Sequence, residues 1–202
     1  MTEMIERREE LLEKIVDVLL ARGISGLSLR PLADSVGSSA RLLIYHFGSK
    51  EELLACALDR VRSRIAAAVG ELKAKESTAS LEEFLRMFWK WAIQEPNQRY
   101  FRLLFEIDGL AMHEGKVVPA KARVAGVNRW IQIFERKVET LADTTDGRLG
   151  ASTIILAAIT GLLHDYFATG DLKRTTAGLN FFIKALSDQV TSTARKTKKK
   201  GR

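Results

Sequence analysis

Apolar residues recur along this chain at three- and four-residue spacing, with no stretch of strict alternation, so the pattern predicts helices throughout and no strand. Leu12, Ile15, Val16 and Leu19 mark a first amphipathic helix from about residue 3 to Arg22, closed by Gly23. A short second helix follows from Ser28, a good N-cap, with Pro31 in the first turn, where a missing N–H costs nothing. Its apolar face is Leu29, Leu32, Ala33 and Val36, and Gly37 can take the left-handed conformation that ends it. Ser38 or Ser39 then caps a third helix through about Phe47, with Leu43 and Phe47 facing inward. Two short helices around a tight glycine turn make a helix-turn-helix.

The remaining chain reads as a succession of longer helices. Ser49 caps a fourth, with Glu52 at the capping-box position, and Leu54, Leu58, Val61, Ile65 and Leu72 carry its face for about six turns. Residues 73–80 form a polar loop, and Ser80 with Glu83 makes a second capping box before a helix to about Glu95. Pro96 separates it from a helix that is apolar almost all round, Tyr100 to Met112. After a break at Gly115 to Pro119, Val127, Trp130, Ile131, Phe134, Val138 and Leu141 define another amphipathic helix. A turn at Asp143 to Gly147 leads to the most apolar segment, Leu149 to Phe167, which Gly170 stops before a last helix through Val190. The fold class is therefore all-α, with about nine helices and no internal repeat.

Charge changes this picture less than its total suggests. Of the formal +7, six charges come from Arg195, Lys196, Lys198, Lys199, Lys200 and Arg202, leaving residues 1–194 almost neutral. The tail 195–202 reads as basic and disordered. Within residues 22–50, however, Arg22, Arg30, Arg41 and Lys50 face one acid, Asp34, so the helix-turn-helix is locally positive. The lone cysteine, Cys56, has no partner for a disulfide or zinc site, which fits a reducing cytoplasm. No signal-peptide pattern and no apolar run of membrane-spanning length is evident. Nothing has metal or catalytic spacing: there is no Glu-x-x-His pair, no cysteine–histidine arrangement and no glycine-rich phosphate loop, and no cofactor is implied.

Gly23, Ser28, Leu32-Ala33, Val36-Gly37, Ser39, Leu43, His46-Phe47 and Ser49-Lys50-Glu51-Glu52-Leu53-Leu54 resemble the DNA-binding domain of TetR-type transcriptional regulators, over roughly residues 6 to 58. The resemblance implies a helix-turn-helix domain at 1–48 and a helical ligand-binding and dimerisation domain at 49–194. The third helix should enter the major groove of double-stranded DNA, presenting Ser39, Ala40, Arg41 and Tyr45. Arg41 is the long donor among them, with a planar fork that matches a guanine edge. Ser28 and Arg30 are candidates for phosphate contacts, and the resemblance adds Lys50. Family members commonly carry hydroxyl side chains where this chain has Leu42 and Ile44, so the docking register should differ here.

Specific binding by a single small motif normally needs two copies, which implies a homodimer on a palindromic operator. Ile155, Ile159, Leu162, Leu163, Phe182 and Leu186 are candidates for that interface, with internal core as the alternative. The resemblance further implies an effector pocket for a small hydrophobic or aromatic molecule, with Trp89, Tyr100, Phe105, Met112, Trp130 and Phe134 as lining candidates. Ordinary core packing would use the same side chains. Glu106, Asp108, His113 and His164 could orient such a ligand. A ligand-responsive repressor is the leading reading. A helical adaptor binding anionic surfaces through its basic tail, or an enzyme on an all-α scaffold, are the alternatives.

Overall fold

A computed structural model describes residues 2–75, 80–114, 118–135, 137–139, 141–142 and 144–200. They form nine helices: α1 (Thr2–Arg22), α2 (Leu29–Ser35), α3 (Ala40–Phe47), α4 (Lys50–Lys75), α5 (Leu81–Ala92), α6 (Glu95–Glu114), α7 (Ala120–Glu135), α8 (Thr145–Thr169) and α9 (Leu172–Lys200). The all-α expectation holds, and no strand occurs among the described residues.

Local chemistry explains most boundaries. Gly23 closes α1 at φ +74°, its N–H donating to the Leu19 carbonyl at 2.8 Å. Gly37 and Gly170 end α2 and α8 in the same left-handed region. Ser39 caps α3, its Oγ accepting from the Leu42 N–H at 3.2 Å, whereas Ser38 Oγ is buried without a partner. The Ser80–Glu83 capping box is complete in both directions.

Four boundaries differ from the sequence pattern, the first being α4, which runs to Lys75 into the stretch read as loop. The fifth helix stops at Ala92 rather than near Glu95, and α7 stops at Glu135, with Val138 and Leu141 following in backbone turns. The helix α9 runs on to Lys200, so residues 195–200 continue a helix instead of forming a separate disordered tail. Arginine, alanine and lysine are good helix formers, and no glycine or proline interrupts them before Gly201.

The chain divides into two compact units that interleave along the sequence: Met1–Gly70 with Glu95–Gly126, and Glu71–Gln94 with Val127–Arg202. In the first unit α1 packs on α2 and on α6, and α2 on α3. Leu11, Leu12, Ile15, Val16 and Leu19 of α1, Leu32 and Ala33 of α2, and Leu43 and Phe47 of α3 are all buried. Along α1 and α4, Arg60 pairs with Glu9 and Glu13, and Arg64 pairs with Glu13 and with Asp17 at 2.9 Å. This row of exposed and half-exposed pairs orients the two helices more than it stabilises them.

In the second unit α8 packs against α9, and α9 against α5. Gly178 permits the first approach, since a Cβ there would lie 3.0 Å from the Leu162 side chain. An aromatic core joins α5 to α7: Phe84 meets Phe134 edge-on at 6.1 Å, and Phe88 meets Trp130 at 5.6 Å.

Candidate nucleic-acid interface

Burial of Leu43 and Phe47 fixes the rotation of α3, and that rotation decides what the helix presents to solvent. Ser39, Arg41, Ile44 and Tyr45 come out exposed, while Ala40 and Leu42 are half-buried. Tyr45 is 70% exposed, its hydroxyl 3.5 Å from the Met4 sulfur near the start of α1. Arg41 and Arg30 are exposed, and among the described residues no carboxylate pairs with either. Both guanidiniums are therefore available to an external acceptor.

At the start of α2, Ser28 stands at the N-cap with extended backbone, yet its hydroxyl makes no capping bond. The hydroxyl is exposed beside the N-terminal N–H groups of α2, an arrangement suited to a phosphate oxygen. Lys50 differs. Its ammonium donates to the Leu27 carbonyl, so one of its three donors already ties the start of α4 to the turn before α2. The predicted set Ser28, Arg30, Ser39, Ala40, Arg41, Tyr45 and Lys50 lies on α2 and α3, at their N-caps and at the start of α4, within the first unit.

A third arginine braces the motif from behind. Arg8 donates to the His46 carbonyl at 3.2 Å and to Cys56 Sγ at 3.3 Å, and its guanidinium lies 4.8 Å from the centre of the Phe47 ring. Cys56 is half-buried as the acceptor of that bond. Sequence periodicity did not mark Arg8, which reads as an ordinary polar position of α1.

Residues 11–57 match the bacterial regulatory proteins, tetR family. The match spans most of α1, all of α2 and α3 and the start of α4. Over 123 residues, 54% of this chain and 58% of the other, the sequence is 28% identical to the HTH-type transcriptional regulator PksA of Bacillus subtilis (strain 168). The chain thus aligns with little more than half the length of that relative. The fold is shared with a TetR-family transcriptional regulator from Cytophaga hutchinsonii, at TM-score 0.70 and 15% identity over 95% of this chain and 96% of that one. It is also shared with the multidrug binding protein EbrR, solved in complex with imidazole, at TM-score 0.64 and 19% identity over 90% and 89% of the two chains.

Outside residues 11–57 the structure separates the remaining candidate residues. The six candidate pocket residues do not come together in one unit: Trp89, Trp130 and Phe134 belong to the second, Tyr100, Phe105 and Met112 to the first. Phe134 is fully buried in the aromatic core, and Trp89, 3% exposed, donates its indole N–H to Thr176 Oγ1 at 3.1 Å, so both serve packing. Met112 is 80% exposed. Ile155, Ile159 and Leu163 are buried inside the second unit and cannot meet a second copy, while Leu162, Phe182 and Leu186 are half-buried. The apolar residues of α8 that face outward include Leu149, Ile154, Ala157 and Gly161, and those of α9 include Ala177 and Phe181. Contrary to the sequence expectation, the helix α8 is long and apolar enough to cross a membrane by length and composition, with a mean hydropathy of 1.4.

Two polar groups take roles that sequence did not assign. Asp108 sits near Arg62 and Arg123, and desolvation pushes its carboxyl above the usual carboxylate range against the pull of those two arginines. Glu106 accepts the backbone N–H groups of Ile24 at 3.0 Å and Ser25 at 2.7 Å. It therefore holds the turn that leads into α2. Among the described residues no group of three histidine, cysteine or acidic side chains is placed to hold a metal.

Proposed function

We propose that this protein is a homodimeric transcriptional repressor that binds a palindromic operator and is released from it by a small effector with a hydrophobic part. The observation that carries the DNA half of the reading is the exposed row Ser39, Arg41 and Tyr45 on a helix anchored by buried Leu43 and Phe47. Arg41 reads a base edge in the major groove, and Ser28, Arg30 and the two remaining donors of Lys50 hold phosphates. Ile44, 37% exposed beside Arg41 and Tyr45, offers a methyl-sized apolar contact to a thymine where relatives carry a hydroxyl.

The outward face of α8 and α9 supports the dimer. Ile154 is 60% and Phe181 77% exposed, a large apolar surface that their own unit does not cover. The proposal assigns that surface, and the span-like hydropathy of α8, to a second copy of the chain. The bound imidazole of EbrR supports an effector for proteins of this fold, and the effector of this chain is a separate small molecule.

A mobility-shift titration on inverted repeats upstream of the gene tests the reading. Expected is saturable, salt-sensitive binding that weakens by about 1–3 kcal/mol in Arg41→Ala. Binding unaffected by Arg41→Ala but abolished by removal of residues 195–202 would replace the repressor with the anionic-surface adaptor.

A further inference from the structure

The turn between α1 and α2 is held by a side chain from far along the sequence. Beyond Gly23 the hydrogen-bond ladder of α1 has ended, so the N–H groups of Ile24 and Ser25 need acceptors from elsewhere. Glu106 of α6 supplies them: its carboxylate accepts from Ile24 at 3.0 Å through both oxygens and from Ser25 at 2.7 Å. Two glycines shape the backbone around it. At Gly23, φ +74°, a Cβ would lie 2.5 Å from a Glu106 oxygen, and Gly26, φ +68°, closes the turn in which the Leu27 N–H donates to the Ile24 carbonyl at 3.0 Å.

That turn carries the side chains assigned to phosphates. Lys50 donates to the Leu27 carbonyl, Ser28 follows at the N-cap of α2 with its hydroxyl making no capping bond, and Arg30 stands exposed in the first turn of that helix. A continuous set of hydrogen bonds thus runs from α6 through residues 24–27 to the start of α4. The Ile24 side chain is 5% exposed, so packing alone already anchors the turn to the core. The carboxylate adds direction: it fixes which way the peptide groups of Ile24 and Ser25 point, and with them the exit of the chain toward Ser28.

We infer that Glu106 is a positioning residue for DNA binding. It acts through the turn rather than on the DNA, holding Ser28, Arg30 and Lys50 in register so that they engage phosphates together. The effect on DNA rests on the repressor reading, whereas the contact of Glu106 with the turn does not.

Operator titrations of the full chain at several salt concentrations test the inference, with wild type, Glu106→Gln and Glu106→Ala compared. Glu106→Ala should bind about tenfold more weakly, and its logarithmic salt dependence should be shallower by about one to two, because Arg30 and Lys50 no longer neutralise phosphates together. Glu106→Gln keeps one acceptor oxygen and should fall between. The ranking of operators substituted at single base pairs should stay as in the wild type, since Arg41 is untouched. Wild-type affinity in Glu106→Ala overturns the inference, and so does a loss of affinity with the salt dependence unchanged, which is what a smaller folded fraction would give. If Glu106→Ala does not fold, Glu106→Gln carries the same comparison, and amide exchange of the wild type tests the contact. Ser25 is exposed, so protection of its N–H comes from the carboxylate, and an unprotected Ser25 amide overturns the inference. A wild-type chain that binds no operator overturns the repressor reading instead, with Ser25 protection still deciding the contact.

Discussion

Arg41 and Ile44 are three positions apart on α3, both exposed, and on the proposed function together they set what this helix can read. An arginine fork favours guanine, and an apolar branched side chain favours a thymine methyl over a phosphate. Replacing Ile44 by tyrosine should move binding energy from bases to backbone. Operator titrations at several salt concentrations should then show a shallower dependence of affinity on sequence and no loss of overall affinity; a sharper sequence preference would refute the assignment. Gly23→Ala tests another single position. The new methyl meets Glu106 and the backbone is left with a positive φ, so the variant should lose about 1–3 kcal/mol of stability in denaturant melts. The two positions differ in legibility. Glycine after an amphipathic run already reads as a helix stop in the sequence, but the carboxylate that excludes a side chain there lies 83 residues further on.

Helix ends show how far local chemistry reaches. The Ser80–Glu83 box, the Ser39 cap and the Gly37 and Gly170 stops follow from residues within four positions of each other, and all stand in the structure as the sequence predicts. Ser80→Ala should cost about 1 kcal/mol, or about 2–4 °C in melting temperature for a chain of this size. Glu83 carries a pH signature as well: the Ser80 backbone N–H holds its carboxyl below its ordinary pKa. A lowered folded-state pKa stabilises above the unfolded value and is lost as pH falls toward the folded one. Acidification through the carboxylate range should therefore lower the melting temperature, and Glu83→Gln should flatten that decline. Asp108, with its carboxyl raised, works in the opposite direction, so Asp108→Asn should leave the acid limb steeper than in the wild type.

At the scale of the molecule the open question in the sequence was which apolar surfaces are internal. The helix α8 is apolar all round, so periodicity cannot choose its inward face, and Ile155, Ile159 and Leu163 proved to be core. Ile154 and Phe181 are the outward residues, and on the proposed dimer Ile154→Arg with Phe181→Glu should yield a folded monomer by light scattering, with operator binding lost. A folded dimer from that double variant would move the interface elsewhere.

The sequence by itself determined the helices, their caps and the helix-turn-helix, because each depends on side chains one or two turns apart. It also marked the apolar side chains of the middle helices, but not their grouping. Tertiary structure alone decided that Trp89 and Phe134 pack in the second unit while Tyr100 and Phe105 belong to the first. It also placed Arg8 under the recognition helix and Glu106 on the turn at Ile24 and Ser25. Those contacts join residues 38 to 82 positions apart, and no periodicity within one helix encodes which distant backbone group a polar side chain will meet.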